Sequence, residues 1–226
     1  MALSDILTEA ARQRFVLTDV TPPDKAKLCY PRWLPMMRFA IRQYRAEGFG
    51  NLMTMDTVAM GGLMRLSTIV LTPGEGAGVP FLLVDTMRMK KKALAYVEFY
   101  DCTARGEAQE ALSALPKRYA ALPDYAEKPA WYVTRRTADS LIKGGEGADA
   151  AALDAMVTDC VNVYLDAAKA ADKDAANSAG LSAFREEMCQ KGSPATPTLQ
   201  KLFGREGADR FFRDVIMPIP QMEKER

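Results

Sequence analysis

The sequence predicts an α/β fold: a three-layer α/β/α sandwich with a central antiparallel sheet. Three observations carry this. Between Asn51 and Thr103 four apolar runs follow one another, separated by turn-forming residues, as an antiparallel meander requires. The runs are apolar at successive positions instead of strictly alternating, so both faces of the sheet should be covered. The segments before and after the meander carry helical patterns that can supply the two covers.

The elements follow in chain order. Residues 3–15 form an amphipathic helix with Leu3, Ile6, Leu7, Ala10 and Ala11 on one face and Ser4 as its cap, stopped by Thr21-Pro22-Pro23-Asp24. A second helix is expected from Pro35 to Glu47, with Met36, Met37, Ile41 and Tyr44 inward, Arg38, Arg42 and Arg45 outward, and Gly48 and Gly50 closing it. The strands are Leu52 to Ala59, Met64 to Leu71, Val79 to Met87 and Ala93 to Tyr100, turning at Gly61-Gly62, at Pro73 to Gly78 and at Lys90-Lys91-Lys92. A helix over Glu107 to Ala121, broken near Pro116, leads through a proline-marked connection to a further strand between Trp131 and Lys143, and Gly144 to Gly147 is a break. Ala151 to Ala171 is the clearest helix, with Leu153, Met156, Val157, Cys160, Val161, Tyr164 and Ala168 as its core stripe. A polar turn at Asp172 to Gly180 and two short helices, Leu181 to Lys191 and Arg205 to Met217, complete the chain, joined through Gly192-Ser193-Pro194 and Thr196-Pro197.

Composition removes whole classes of function. The 226 residues suit one domain over 1–226, with no internal repeat and no long linker. Thirty basic against 29 acidic residues leave a net charge of +1, too little for a general nucleic-acid or anionic-membrane binder. The chain has no histidine, which excludes zinc hydrolases, His-ligated haem and His-based triads. Cys29, Cys102, Cys160 and Cys189 are dispersed and expected to be reduced; no metal site is expected. With no signal-peptide pattern and no apolar run of about 18 residues, the protein is expected to be cytoplasmic.

Acid–base chemistry then falls to carboxylates, and two stand inside apolar runs: Asp56 and Asp85. A carboxylate on a covered sheet is costly unless paired, bonded or protonated, and desolvation raises its pKa toward use as a proton donor. The plainer alternative places each at a strand end, bonded to a turn or an arginine. A two-residue loop at Gly61-Gly62 sets Asp56 across from Ser67, and a three-residue loop sets it across from Thr68. Either way a hydroxyl faces a carboxylate among apolar neighbours, the pattern of a ligand pocket, and symmetric pairing of the next strands would bring Asp85 to the same place. The glycine-rich Gly74 to Gly78 segment joins two strands and opens no helix, so it is a hairpin loop, not a phosphate site. Arg88, Lys90, Lys91 and Lys92 form a cationic tip suited to docking an acidic protein.

These residues resemble the ferredoxin-dependent bilin reductases and, more distantly, the red chlorophyll catabolite reductases. The resemblance begins with Ile69-Val70-Leu71-Thr72-Pro73 and Pro80-Phe81-Leu82-Leu83-Val84-Asp85, where Asp85 matches the family's catalytic aspartate, and Asp56 falls where members can carry a carboxylate near substrate. It continues through Leu122-Pro123, Pro129-Ala130-Trp131, Leu202-Phe203-Gly204-Arg205-Glu206 and Phe211-Phe212, spanning about residues 50–217. Three positions depart from the pattern: Thr68 where some members have a catalytic histidine, Ser193 where many have an acidic residue, and Gly207 in place of a tryptophan. The resemblance implies an open-chain tetrapyrrole such as biliverdin held between the sheet and the C-terminal helices. It implies no tightly bound cofactor, with ferredoxin as external electron donor. Asp85 and Asp56 would be catalytic, and Thr68 and Ser193 would line the substrate site; Lys143, from its place at a strand end, or Arg135 would pair the propionates. A carrier or sensor of the same fold, without catalysis, and an unrelated interaction protein are the competing expectations.

Overall fold

The computed structural model of the chain describes residues 2–30, 36–74, 78–100, 106–171, 178–193 and 195–219. The expectations for Cys102, Pro194, residues 75–77 and residues 172–177 lie outside the described residues.

The architecture is the expected three-layer sandwich, on a wider sheet. The four expected strands are β4 (Gly50–Ala59), β5 (Met64–Pro73), β6 (Phe81–Met89) and β7 (Lys92–Tyr100), here numbered after three that precede them: β1 (Leu17–Asp19), β2 (Lys27–Tyr30) and β3 (Met37–Ala46). With β8 (Leu141–Glu146) they make one eight-stranded antiparallel sheet, ordered β1-β3-β4-β5-β6-β7-β8, with β2 also on β3.

β3 corrects the helix expected from Pro35 to Glu47. Its residues alternate in burial, with Phe39, Ile41 and Gln43 on one face and exposed Arg38 and Arg42 on the other. A stretch in which Arg38, Arg42 and Arg45 recur at helical spacing also satisfies period two, and pairing with β4 along all of β3 selects the strand. The strand expected between Trp131 and Lys143 begins instead with a 3-10 turn over Trp131–Arg135, and β8 runs through the supposed break at Gly144. Gly144 makes this possible: at φ 121° a Cβ would stand 2.2 Å from the Ala93 carbonyl oxygen, so only glycine lets β8 lie against β7 there.

One face of the sheet is covered by α1 (Leu3–Arg12), α2 (Glu107–Ser113), α3 (Leu115–Arg118) and α4 (Ala150–Ala170). All seven residues of the expected α4 stripe are buried in this layer. Ser4 is no cap: it lies inside α1, buried, with its hydroxyl turned to the sheet. The other face is covered by α5 (Ser178–Lys191), α6 (Thr196–Phe211) and a π-helical turn, Phe212–Ile216. α6 starts at Thr196-Pro197, read from sequence as a joint, and Gly204 at φ 71° kinks it. Among the described residues no helix is long and apolar enough to cross a membrane.

Candidate active site

Antiparallel register decides which side chains share a face, because residues directly opposite each other project the same way. Thr68 of β5 stands opposite Asp85 of β6, and Asp85 opposite Tyr96 of β7. This row faces α5 and α6. Asp56 stands opposite Ser67, which stands opposite Thr86, one residue out of step with the first row. Asp56 therefore faces α1, on the other side of the sheet.

Contacts agree with that parity. The Thr68 hydroxyl donates to Asp85 Oδ1 at 2.5 Å. The Ser67 and Ser4 hydroxyls donate to Asp56 Oδ1 and Oδ2, each at 2.6 Å. Ser4 belongs to α1, so Asp56 pins that helix to the sheet. The expected pair of carboxylates in one pocket is thus corrected: a one-residue difference in register moves a side chain to the opposite face. The β4–β5 connection is a four-residue turn, Met60 to Leu63, centred where a two-residue loop would be, which is why Asp56 meets Ser67 and Thr68 is left for Asp85.

Burial penalises the charged form of Asp85 and holds its pKa above the ordinary carboxylate range, with the Thr68 hydrogen bond pulling partly the other way. Among the described residues Asp85 Oδ2 accepts no hydrogen bond. This is the combination a proton donor needs: a carboxyl inclined to hold a proton, one oxygen fixed by a hydroxyl and the other open.

Next to Asp85 lies a polar cluster that the sequence reading passed over. Glu98 of β7 is 4% exposed and shares the face of Asp85, opposite Leu83. It is ion-paired with Arg136 and accepts a hydrogen bond from the Tyr100 hydroxyl at 2.9 Å. Arg136 also clasps Glu127 through both terminal nitrogens and approaches the Tyr100 hydroxyl at 3.4 Å. Burial pushes the Glu98 pKa up to about 7 against the pull of Arg136, with Asp85 adding to the rise. Tyr96 is pushed up to about 12 by burial. Glu98 carries the same signal as the two aspartates, a carboxyl inside the apolar run Ala93 to Tyr100.

The remaining expected site residues divide between the faces. Lys143 stands opposite Ala95, on the face away from Asp85, and its buried ammonium bonds Asp124 at 2.6 Å and the Leu122 carbonyl at 3.1 Å. It is corrected from a propionate partner to a clamp on the connection before β8. Arg135 reaches across to Glu187 of α5 at 2.6 Å, on the Asp85 side. Ser193 lies at the α5–α6 joint, its hydroxyl 3.1 Å from that of Thr196. Close by, the Trp131 indole donates to the Gly192 carbonyl at 2.9 Å, fastening the joint to the 3-10 turn.

The cationic tip is smaller than expected. Arg88 points to the α4 layer, where it pairs with Asp154 and donates to the Leu94 carbonyl at 3.0 Å. The Lys92 ammonium lies 4.5 Å from the Tyr125 ring centre and 3.0 Å from its hydroxyl. Lys90 and Lys91 form the exposed hairpin turn itself and have no ion pair among the described residues.

A scan against protein-family models and a search of curated proteins each return no match. Among solved structures, the chain is similar to phytochromobilin synthase from tomato, crystallised in complex with biliverdin, with a TM-score of 0.74 over 99% of this chain and 86% of that one at 10% sequence identity. At this identity the likeness shows the fold, and that fold is the one the sequence resemblance implied.

Proposed function

We propose that the chain binds a linear tetrapyrrole between the Asp85 face of its sheet and the C-terminal helices and reduces it. Electrons arrive one at a time from reduced ferredoxin or a similar small acidic carrier, and Asp85 donates a proton. The observation that carries this reading is Asp85 itself: a desolvated carboxyl, fixed by Thr68, on the sheet face covered by α5 and α6, in a fold shared with a protein crystallised with biliverdin.

The chain's own groups account for the chemistry asked of them. An electron added to the conjugated tetrapyrrole makes it more basic, and the Asp85 O–H bond then breaks as a C–H or N–H bond forms on the ligand. Thr68 stabilises the carboxylate left behind through its short hydrogen bond. Lys90 and Lys91, exposed at the β6–β7 turn, supply positive charge for an acidic electron carrier, and that coupling weakens with salt.

One observation favours a second reading, a non-catalytic carrier or sensor. Thr68 occupies the position of a family histidine, and an aliphatic hydroxyl does not titrate near neutral pH. Absorption spectra separate the two: purified protein is mixed with biliverdin, then supplied anaerobically with ferredoxin and a reducing system. Binding followed by bleaching of the long-wavelength band supports the reductase, binding without change supports the carrier, and no spectral change on mixing removes both.

A further inference from the structure

Saturating one double bond of a tetrapyrrole takes two electrons and two protons, and Asp85 carries one proton at a time. Resting on the reductase reading, we infer that Glu98 is the proton store that replenishes Asp85 between the two one-electron steps, acting as a relay residue without touching the tetrapyrrole.

Three observations support this. The first is position: Asp85 stands opposite Tyr96 and Glu98 two residues further along the same strand, so the two carboxyls are diagonal neighbours on one face, about 7–8 Å apart at the backbone. The second is the reception prepared for the Glu98 anion. Arg136 and the Tyr100 hydroxyl already point at its carboxyl, so after losing a proton it becomes a paired carboxylate and not an orphaned buried charge. The third is acidity: burial outweighs Arg136 and holds the Glu98 proton to about pH 7, where an ordinary glutamate would have lost it. Among the described residues, the titratable and charged groups acting on Glu98 are Asp85 from β6, Tyr96 and Tyr100 from its own strand, Tyr132 from the 3-10 turn, and Arg136 and Glu127 from the segments flanking that turn, while uncharged Phe184 of α5 stacks on Tyr100 at 4.7 Å.

The first electron from the ferredoxin-type donor and the Asp85 proton give a neutral tetrapyrrole radical and an Asp85 carboxylate. The Glu98 O–H bond breaks, and the proton reaches Asp85 through one intervening water, leaving Glu98 paired with Arg136. The second electron and the restored Asp85 proton complete the reduction, and solvent returns one proton to each carboxylate.

The test is single-turnover reduction of bound biliverdin by excess reduced ferredoxin, followed by absorption and by electron paramagnetic resonance across pH 5.5 to 8.5. For Glu98→Gln the account expects unchanged biliverdin binding, radical formation at the wild-type rate, and radical decay slower by about 10²-fold, the lower scale for a positioned acid. The wild-type pH dependence of decay near pH 7 should vanish, and Glu98→Asp, which keeps an ionisable proton, should recover part of the rate. Radical decay in Glu98→Gln with the wild-type rate and pH profile overturns the inference. A wild type that binds biliverdin without forming a radical overturns the reductase reading instead. Carboxyl-labelled NMR of the wild type gives an answer that needs neither turnover nor the variant's stability: one glutamate should titrate near pH 7 and move down in Asp85→Asn, and the absence of any glutamate titrating above about pH 6 overturns the relay.

Discussion

Replacing Glu98 by Gln should change how stability depends on pH, and the structure fixes the direction. In the folded protein burial raises the Glu98 pKa from the ordinary 4.5 to about 7. A carboxyl that holds its proton more tightly when folded stabilises the fold fully below its unfolded pKa and loses that contribution as pH rises through the folded one. The interval from 4.5 to about 7 corresponds to about 3.5 kcal/mol at about 1.4 kcal/mol for each pH unit, most of it expressed between pH 4 and pH 8. Glutamine has no such proton, and Arg136 keeps Glu127 as a partner in the variant. The unfolding free energy of the wild type minus that of Glu98→Gln, from urea titrations followed by circular dichroism, should therefore fall by about 3 kcal/mol between pH 4 and pH 8. Asp85 is present in both proteins and largely cancels in the difference. A difference that stays constant, or that rises with pH, would mean that Glu98 is ionised at neutral pH with Arg136 winning over burial, and the reasoning would fail.

Three further outcomes follow from the same geometry. Asp56→Asn should cost about 1–3 kcal/mol, because Asn cannot accept both the Ser4 and the Ser67 hydroxyls as the carboxylate does, while biliverdin binding and turnover stay unchanged; a folded variant without turnover contradicts the assignment of Asp56 to the α1 face. Lys90→Glu with Lys91→Glu should slow ferredoxin-limited reduction and flatten its dependence on ionic strength, read by stopped-flow from low to high salt; unchanged kinetics would place the carrier elsewhere. Phe184→Ala should cost about 3–5 kcal/mol in urea unfolding, since this ring is 1% exposed and packs on Phe81, Tyr100 and Trp131 at the centre of the C-terminal layer; a cost below 1 kcal/mol would mean that the α5 layer does not close the sheet.

The central meander was legible because each of its strands is long, apolar and bounded by turn residues, and α4 because its seven-residue stripe keeps one period over about four turns. β3 was not, since Arg38, Arg42 and Arg45 fit a helix face while Met37, Phe39 and Ile41 fit a strand, and only pairing with β4 chooses between them. β1 and β2, of three and four residues, are too short to show a period. Asp85 stood out in the sequence as a carboxyl in an apolar run, but its separation from Asp56 depends on whether Asp56 meets Ser67 or Thr68, a matter of one residue in a turn. Arg88 and Lys92 looked like part of the exposed tip because sequence shows charge and not direction; strand parity turns one to Asp154 and the other to Tyr125. The Glu98–Arg136 pair joins residues 38 positions apart through a 3-10 turn that no periodicity announces.

The central claim is that Asp85 gives a proton to a bound tetrapyrrole. Asn at this position keeps the size and the acceptor for Thr68 but has no proton to lose, so the direct measurement is single-turnover reduction of biliverdin by reduced ferredoxin under anaerobic conditions, wild type against Asp85→Asn. The account predicts that the variant binds biliverdin as the wild type does, forms a tetrapyrrole radical, and passes to product slower by about 10²-fold or more. Product formation by Asp85→Asn at the wild-type rate would contradict it.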